Sequence, residues 1–252
     1  METYLINLDR SPDRLAEFTA RNPHVLPIHR FAGIDGKTVS RAELVERGLF
    51  TAEVPYTDGA VGGALSHLAL WDMAIARNSP LTVIEDDAIF NRNFLDEQRA
   101  LLDTIEANWH IILWGYNFDS PLLLRMVPHI SPFWIYLSQS ELRKHFDEFQ
   151  QATVRSRAFK LVQGCGFVCY SVSPQGARIL KSFCLPIREM QIDFWGLNRR
   201  VRNETLDIMS NAIYAQINAY ACFPPLVVTP NDHETSLIQQ PQQPSPMQPH
   251  DD

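Results

Sequence analysis

The feature that most restricts this chain is an apolar run that ends in charge. In "PLTVIEDDAIF", Leu81, Thr82, Val83 and Ile84 lead straight into Glu85, Asp86 and Asp87, and the chain turns apolar again at Ala88. A short aliphatic run without alternation reads as a strand covered on both faces, as in the parallel sheets of α/β proteins. Such a strand can hold three mutually repelling carboxylates only at its open end. Side chains alternate along extended backbone, so Glu85 and Asp87 are expected on one side and Asp86 on the other. Two carboxylates sharing a cleft force one pKa upward unless a cation intervenes. Carboxylate oxygens suit Mg²⁺ or Mn²⁺, and Mg²⁺ is usually shared between a few carboxylates, water and substrate phosphates. The cluster therefore reads as a metal–diphosphate site or as a solvated acidic turn. On residue types alone it equally suits a phosphatase, a nuclease or a phosphoacceptor domain.

The flanking pattern is that of an α/β domain. "TYLINLDRSPDRL" predicts a strand over 3–8, then a helix with Ser11 as N-cap and Pro12 at its first position. "VLPIHRFAGIDGK" predicts a second strand closing in an Asp35-Gly36 turn. In "GAVGGALSHLALWDMAIARNSP", Val61, Leu65, Leu68, Trp71 and Ile75 recur at helical spacing. The glycines ahead of that helix leave backbone N–H groups open to phosphate oxygens. "NFLDEQRALLDTIEA", "SELRKHFDEFQQATVRS" and "SPQGARILKSF" read as further helices; "HIILWGYN", "KLVQGCGFVCYSVS" and "LVVTP" read as strands. Residues 119–137 and "ETLDIMSNAIYAQINAY" fit no single element. This order predicts a mostly parallel central sheet flanked by helices, with ligands at the carboxyl ends of strands. Residues 1–238 are expected to form one domain, and the Gln/Pro-rich residues 239–252 a disordered tail.

Composition narrows the partners. A net charge of −7 with no Lys/Arg cluster argues against a protein that grips nucleic acid by its phosphates. No apolar run approaches the roughly 18 residues of a membrane span, and no secretory leader is expected. The expected location is the cytoplasm, with at most peripheral contact at the inner face of a membrane. Cys165 and Cys169 read as parts of one strand, about 13 Å apart and too far for a disulfide. With Cys184 and Cys222 they are expected to be reduced core thiols.

Five segments in order, "INLDRSPDR", "RFAGIDG", "GGALSHLALWDMAI", "LTVIEDDAIF" and "GCGFVCYSVSPQGARIL", resemble glycosyltransferase family 25. That family includes bacterial lipooligosaccharide galactosyltransferases and animal collagen galactosyltransferases. The resemblance covers residues 4 to about 238, and no single segment decides it. The chain has Ala60 where the family often has Glu, and Gly62-Gly63 where it has Gly-Cys. The resemblance implies a GT-A-type nucleotide-sandwich fold and an inverting, metal-dependent transfer of a hexose. The hexose would be galactose from UDP-galactose, and the acceptor a saccharide or lipid-linked saccharide such as lipooligosaccharide. It implies Mn²⁺ or Mg²⁺ on Asp87, with Glu85 at the ribose or the ion's water shell and His233 as a late ligand. Asn7, Arg10, Arg14, Asp35 and Asp86 would meet the nucleotide, Ser66 and His67 the diphosphate or sugar, and Gly164 the sugar or acceptor side. The general base is assigned to Asp193 in "MQIDFWG", whose neighbours Phe194 and Trp195 suit a sugar face. The rival readings are a metal-dependent phosphohydrolase using the same carboxylates and a non-catalytic nucleotide-sugar-binding protein.

Overall fold

A computed structural model describes residues 1–25, 27–127 and 130–231. The expected tail and His233 lie outside the described residues. The chain opens with β1 (Glu2–Asn7), α1 (Pro12–Arg21), β2 (His29–Ala32), α2 (Arg41–Glu46), α3 (Asp58–Arg77) and β3 (Leu81–Glu85). Next come β4 (Ile89–Phe90), α4 (Phe94–Leu102), β5 (Ile111–Gly115), β6 (Leu122–Val127) and β7 (Ser131–Ile135). The short helices α5 (Gln139–Leu142) and α6 (Phe146–Gln151) lead into β8 (Arg157–Gln163), β9 (Cys169–Val172) and α7 (Pro174–Cys184). The chain continues through β10 (Gln191–Phe194), β11 (Arg199–Arg202), α8 (Leu206–Ser210), β12 (Ala219–Phe223) and β13 (Val227–Val228).

The main sheet has the order β2-β1-β3-β9-β5-β12-β8-β6-β7, so the fold is mixed α/β. β2, β1 and β3 pair in parallel, as do β5 and β12. β9 runs antiparallel between β3 and β5, which leaves those two strands pointing the same way. From β12 onward the pairing through β8, β6 and β7 is antiparallel. β10 and β11 form a separate hairpin.

β3 sits between β1 and β9 with Leu81, Thr82, Val83 and Ile84 all buried, which accounts for its unbroken apolar run. The connections β1–α1–β2 and β2–α3–β3 move in opposite directions across the sheet, and their helices lie on opposite faces. α3 packs with α7 in a core holding Leu68, Trp71, Val83 and Leu180. α1 and α4 pack in a second core with Phe18, Ile84, Phe94 and Trp114.

Several local expectations change. The Ser11 side chain does not cap α1; instead its carbonyl accepts a hydrogen bond from Asn7 Nδ2 at 3.0 Å. By contrast Ser173 caps α7 as expected, accepting from Gly176 N–H. The helix expected over 140–156 divides into α5 and α6. Cys165 and Cys169 do not share one strand, because β8 stops at Gln163 and β9 begins at Cys169; all four cysteines are free and buried. The glycines of "GAVGG" lie inside α3, which starts at Asp58 with Thr57 Oγ1 accepting from Ala60 N–H. Gly62 is there for closeness. A Cβ on it would stand 2.3 Å from the Ile34 carbonyl oxygen and 2.7 Å from the Gly36 nitrogen. Ser66 completes the join, accepting from Ile34 N–H and donating to the Gly62 carbonyl, both at 2.8 Å.

Candidate functional site

The carboxyl ends of β1, β2 and β3 open into a cavity of about 430 Å³, within the usual range for small-molecule sites. Asn7, Arg10 and Arg14 line it after β1, Asp35 after β2, Ser66 and His67 from α3, and Glu85, Asp86 and Asp87 after β3. Nine of the residues read from the sequence thus meet around one space. Arg10 Nε donates to Asp35 Oδ2 at 2.5 Å, and Lys37 N–H donates to Asp35 Oδ1 at 3.1 Å. Those bonds, Arg10's first, hold the Asp35 carboxyl below the usual carboxylate range.

The acidic triplet is tolerated because its three members have different surroundings. Asp86 accepts from Asn7 Nδ2 and Arg14 Nε, each at 2.8 Å, and takes a second contact from Arg14 Nη2. Asn7 is itself held by Arg30 Nε on its side-chain oxygen at 3.1 Å. Glu85 faces His67, whose Nε2 lies 3.4 Å from Glu85 Oε1 and whose Nδ1 lies 3.0 Å from the Tyr170 hydroxyl. Asp87 is the least satisfied of the three. Its Oδ2 accepts from Thr229 Oγ1 at 3.0 Å, while its Oδ1 is shut off from solvent with no hydrogen-bond partner among the described residues. Burial, and then the charge of Glu85, push the Asp87 carboxyl up to about 6.

A smaller cavity of about 100 Å³ adjoins the first and shares Gly63, His67, Glu85, Asp87 and Asn231 with it. Glu85 and Asp87 line this second space and Asp86 does not; the expected split is present, although Asp86 and Asp87 lie past the end of β3 in a turn closed by the bond from Ala88 N–H to the Glu85 carbonyl. Across it stands Asp207, a carboxylate that the sequence reading missed. Gly166 N–H donates to Asp207 Oδ2 at 2.7 Å, and Thr205 Oγ1 donates to Oδ1 at 2.5 Å. Burial is the chief cause that raises the Asp207 pKa. Gly166 adopts a left-handed φ of +92°, and a Cβ on it would meet Asn117 Oδ1 at 2.4 Å. Nothing bulkier fits that turn.

Two sequence-read residues stand apart. Gly164 backs onto the core, where a Cβ would meet Leu122 Cδ1 at 2.9 Å, and its N–H donates to Asn211 Oδ1 at 2.7 Å. Asp193 lies on the β10–β11 hairpin, outside both cavities, exposed and paired with Arg200 at 2.9 Å. Ile192 and Phe194 point inward and Asp193 outward, a period-two pattern already present in "QIDF".

The donor set fits a divalent cation of the Mg²⁺ or Mn²⁺ kind. An orphaned carboxylate oxygen on Asp87 beside the Glu85 carboxylate is the arrangement a hard cation would satisfy. Among the described residues no group of three or more His, Cys, Asp or Glu side chains could hold a metal alone. Water and ligand phosphates would have to supply the remaining positions, as is usual for Mg²⁺.

The class this architecture defines is an α/β domain whose ligand cleft lies at the carboxyl ends of parallel strands, with acid at its centre. A family model described as glycosyltransferase family 25 (LPS biosynthesis protein) matches residues 1–195, and the chain belongs to that family. It is similar to a glycosyltransferase 25 family member of Aedes aegypti, 29% identical over 124 residues, 44% of this chain and 20% of that protein. It is also similar to the inactive glycosyltransferase 25 family member 3 of Homo sapiens, 29% identical over 133 residues, 48% of this chain and 22% of that protein. The procollagen lysyl hydroxylase and glycosyltransferase of Acanthamoeba polyphaga mimivirus is 28% identical over 132 residues, 44% of this chain and 14% of that protein. These matches span about a fifth or less of the relatives' own length, up to 22%. Among solved structures, A197 from STIV aligns over the whole of both chains at 11% identity with a TM-score of 0.39, too low to carry an argument.

Proposed function

We propose that this chain is an inverting, metal-dependent glycosyltransferase of GT-A type. It moves a hexose, galactose from UDP-galactose, onto a saccharide acceptor such as lipooligosaccharide. The observation that carries this reading is that Glu85 and Asp87 line both cavities while Asp207 lines the smaller one. Family membership and its description as a lipopolysaccharide-biosynthesis family support the reaction class. No described helix is long and apolar enough to cross a membrane.

In this mechanism Asn7, Arg10 and Asp35 receive the uridine end of the donor in the larger cavity. Asp86 is held by Arg14 and Asn7 and fixes the turn that carries its neighbours. Asp87 and Glu85 would hold Mn²⁺ or Mg²⁺, which neutralises charge on a departing diphosphate. The acceptor hydroxyl enters from the smaller cavity and its oxygen bonds to the anomeric carbon as the carbon–oxygen bond to the diphosphate breaks. Its proton passes to Asp207, whose raised pKa suits a general base, and UDP leaves. His67 stands behind Glu85 and orients it.

Thermal unfolding with UDP, GDP and CMP, each with and without Mn²⁺, tests the donor half. A ligand at 100 times its Kd stabilises by about 2.7 kcal/mol, so a shift with UDP only when Mn²⁺ is present is expected. No response to any nucleotide sinks the reading. Relatives named inactive support one rival, binding without turnover. A UDP shift without UDP release from UDP-galactose in the presence of any saccharide acceptor decides for it.

A further inference from the structure

One polar contact of the reaction centre runs backward into the core rather than outward to a ligand. His67 and Trp71 are one helical turn apart in α3 and share a face of the helix. That face meets Tyr170 of β9, the strand held between β3 and β5. Trp71 Nε1 lies 2.9 Å from the Tyr170 hydroxyl, and His67 Nδ1 lies 3.0 Å from the same oxygen. On its other edge His67 Nε2 stands 3.4 Å from Glu85 Oε1. Phe167 closes the cluster, its ring centroid 5.0 Å from that of His67 and 4.8 Å from that of Tyr170. All four side chains are buried, Trp71 and Tyr170 completely.

Counting donors fixes where each proton sits. An indole N–H can only donate, so Trp71 occupies one acceptor site of the Tyr170 oxygen. The hydroxyl has a single proton, and among the described residues His67 Nδ1 is the acceptor within its reach. Nδ1 is then bare, which puts the imidazole proton on Nε2, facing Glu85. The opposite tautomer would aim two donors and no acceptor at Tyr170, stranding a buried O–H. Imidazolium would do the same. Turning the ring over would put carbon at both polar contacts, so the same partners fix its orientation. At 3.4 Å the approach to Glu85 is longer than a closed hydrogen bond, so the tautomer rests on Tyr170 and not on the carboxylate.

We propose that Trp71 and Tyr170 are positioning residues that hold His67 as the Nε2–H tautomer, so that it faces the cleft only as a hydrogen-bond donor. The proposal rests on the glycosyltransferase reading above and assigns the part of His67 in it. A protonated Nε2 can neither ligate a cation nor take a proton from an accepting hydroxyl. His67 is thereby excluded as metal ligand and as general base. What remains to it is to aim an N–H at Glu85 and steady that carboxylate beside Asp87. Outer partners of this kind orient the ligands of metal sites.

The test reads the imidazole directly. The full chain, metal-free and with isotope-labelled histidine, is followed by long-range proton–nitrogen NMR, the His67 signals being assigned by their loss in His67→Gln. The expected pattern is a protonated Nε2 and a bare Nδ1. Glu85→Gln should keep that pattern. Adding Tyr170→Phe or Trp71→Phe to Glu85→Gln should release it into a mixture of both tautomers. A proton on Nδ1 in the parent chain overturns the proposal. So does a changed tautomer in Glu85→Gln alone, or an unchanged one in both double variants. Mn²⁺ affinity, titrated in the presence of UDP, then reports the positioning role, and Tyr170→Phe alone should weaken it by about 10–100-fold. Unchanged affinity overturns that role. A parent chain that shows the Nε2–H tautomer but binds no Mn²⁺ overturns the transferase reading and leaves the tautomer assignment standing.

Discussion

On the β2–β1–β3 side of the cleft the polar side chains are bound to one another. Asn7 and Arg14 hold Asp86, Arg10 holds Asp35, and Ser66 joins the Asp35 loop to α3. On the β6–β7 side the surface is aromatic and open, and its two hairpins meet at the Tyr136–Gly196 hydrogen bond. The first side is pre-set, with little freedom to lose when a ligand arrives; the second presents area and leaves detail to the partner. A ligand of constant shape suits the first.

That contrast is open to attack at four points. The largest effect is expected from Asp207→Asn, which should lower kcat by roughly 10²–10⁴ while leaving Mn²⁺-dependent UDP binding intact. If UDP binding fell as well, Asp207 would belong to the donor side and the division would fail.

Asp87→Asn should erase the UDP response, about 2.7 kcal/mol at 100 times Kd, and yet stabilise the metal-free fold. The folded carboxyl titrates at about 6 against an ordinary value of 3.8, so between those values the folded state binds its proton more tightly than the unfolded chain does. Metal-free stability therefore falls as pH rises through that window, and the penalty is complete above it. The Asn variant should gain about 1–3 kcal/mol above pH 7 and nothing below pH 4, read from urea unfolding at both values. Equal gains at both would show that the charge of Asp87 is not the cause.

Gly62→Ala should cost about 1–3 kcal/mol, because its Cβ would collide with the Ile34 and Gly36 backbone. A fold that absorbed the methyl group without loss in Tm would mean the donor side is less fixed than its contacts imply. Asp193→Asn should do least, within about 0.5 kcal/mol in stability and with kcat unchanged, as an exposed hairpin ion pair. A fall in kcat as deep as that of Asp207→Asn would return the general base to the hairpin.

The same contrast governs how much could be read from the sequence. β3, α3 and α7 were legible because buried parallel strands leave unbroken apolar runs, and capped helices leave period and punctuation. The residues around the larger cavity followed because most of them sit at or directly after the ends of β1, β2 and β3. The β6–β7 hairpin was not legible: it spans short strands, its register shifts between Arg125 and Val127, and Trp134 and Tyr136 face outward beside an inward Phe133. Asp207 was hidden for another reason. It sits in α8, five residues long, and only the tertiary approach of Gly166 marks its carboxylate as special. Gly164 misled in the opposite sense, since glycine marks close approach without saying whether a ligand or Leu122 is what approaches.

The bond from Thr229 to Asp87 spans 142 residues of chain. Together with Asp207 it means that the acid at the end of β3 acquires its surroundings only after almost the whole domain has been made. A nascent chain that had emerged only as far as β9 would already carry Glu85, Asp86 and Asp87, yet lack the hydroxyl and the opposing carboxylate that define the cleft. Contacts this distant in sequence form late and slowly, since loop-closure entropy is lost before they are gained. Ligand competence should therefore appear after secondary structure during refolding, as a separate and slower phase.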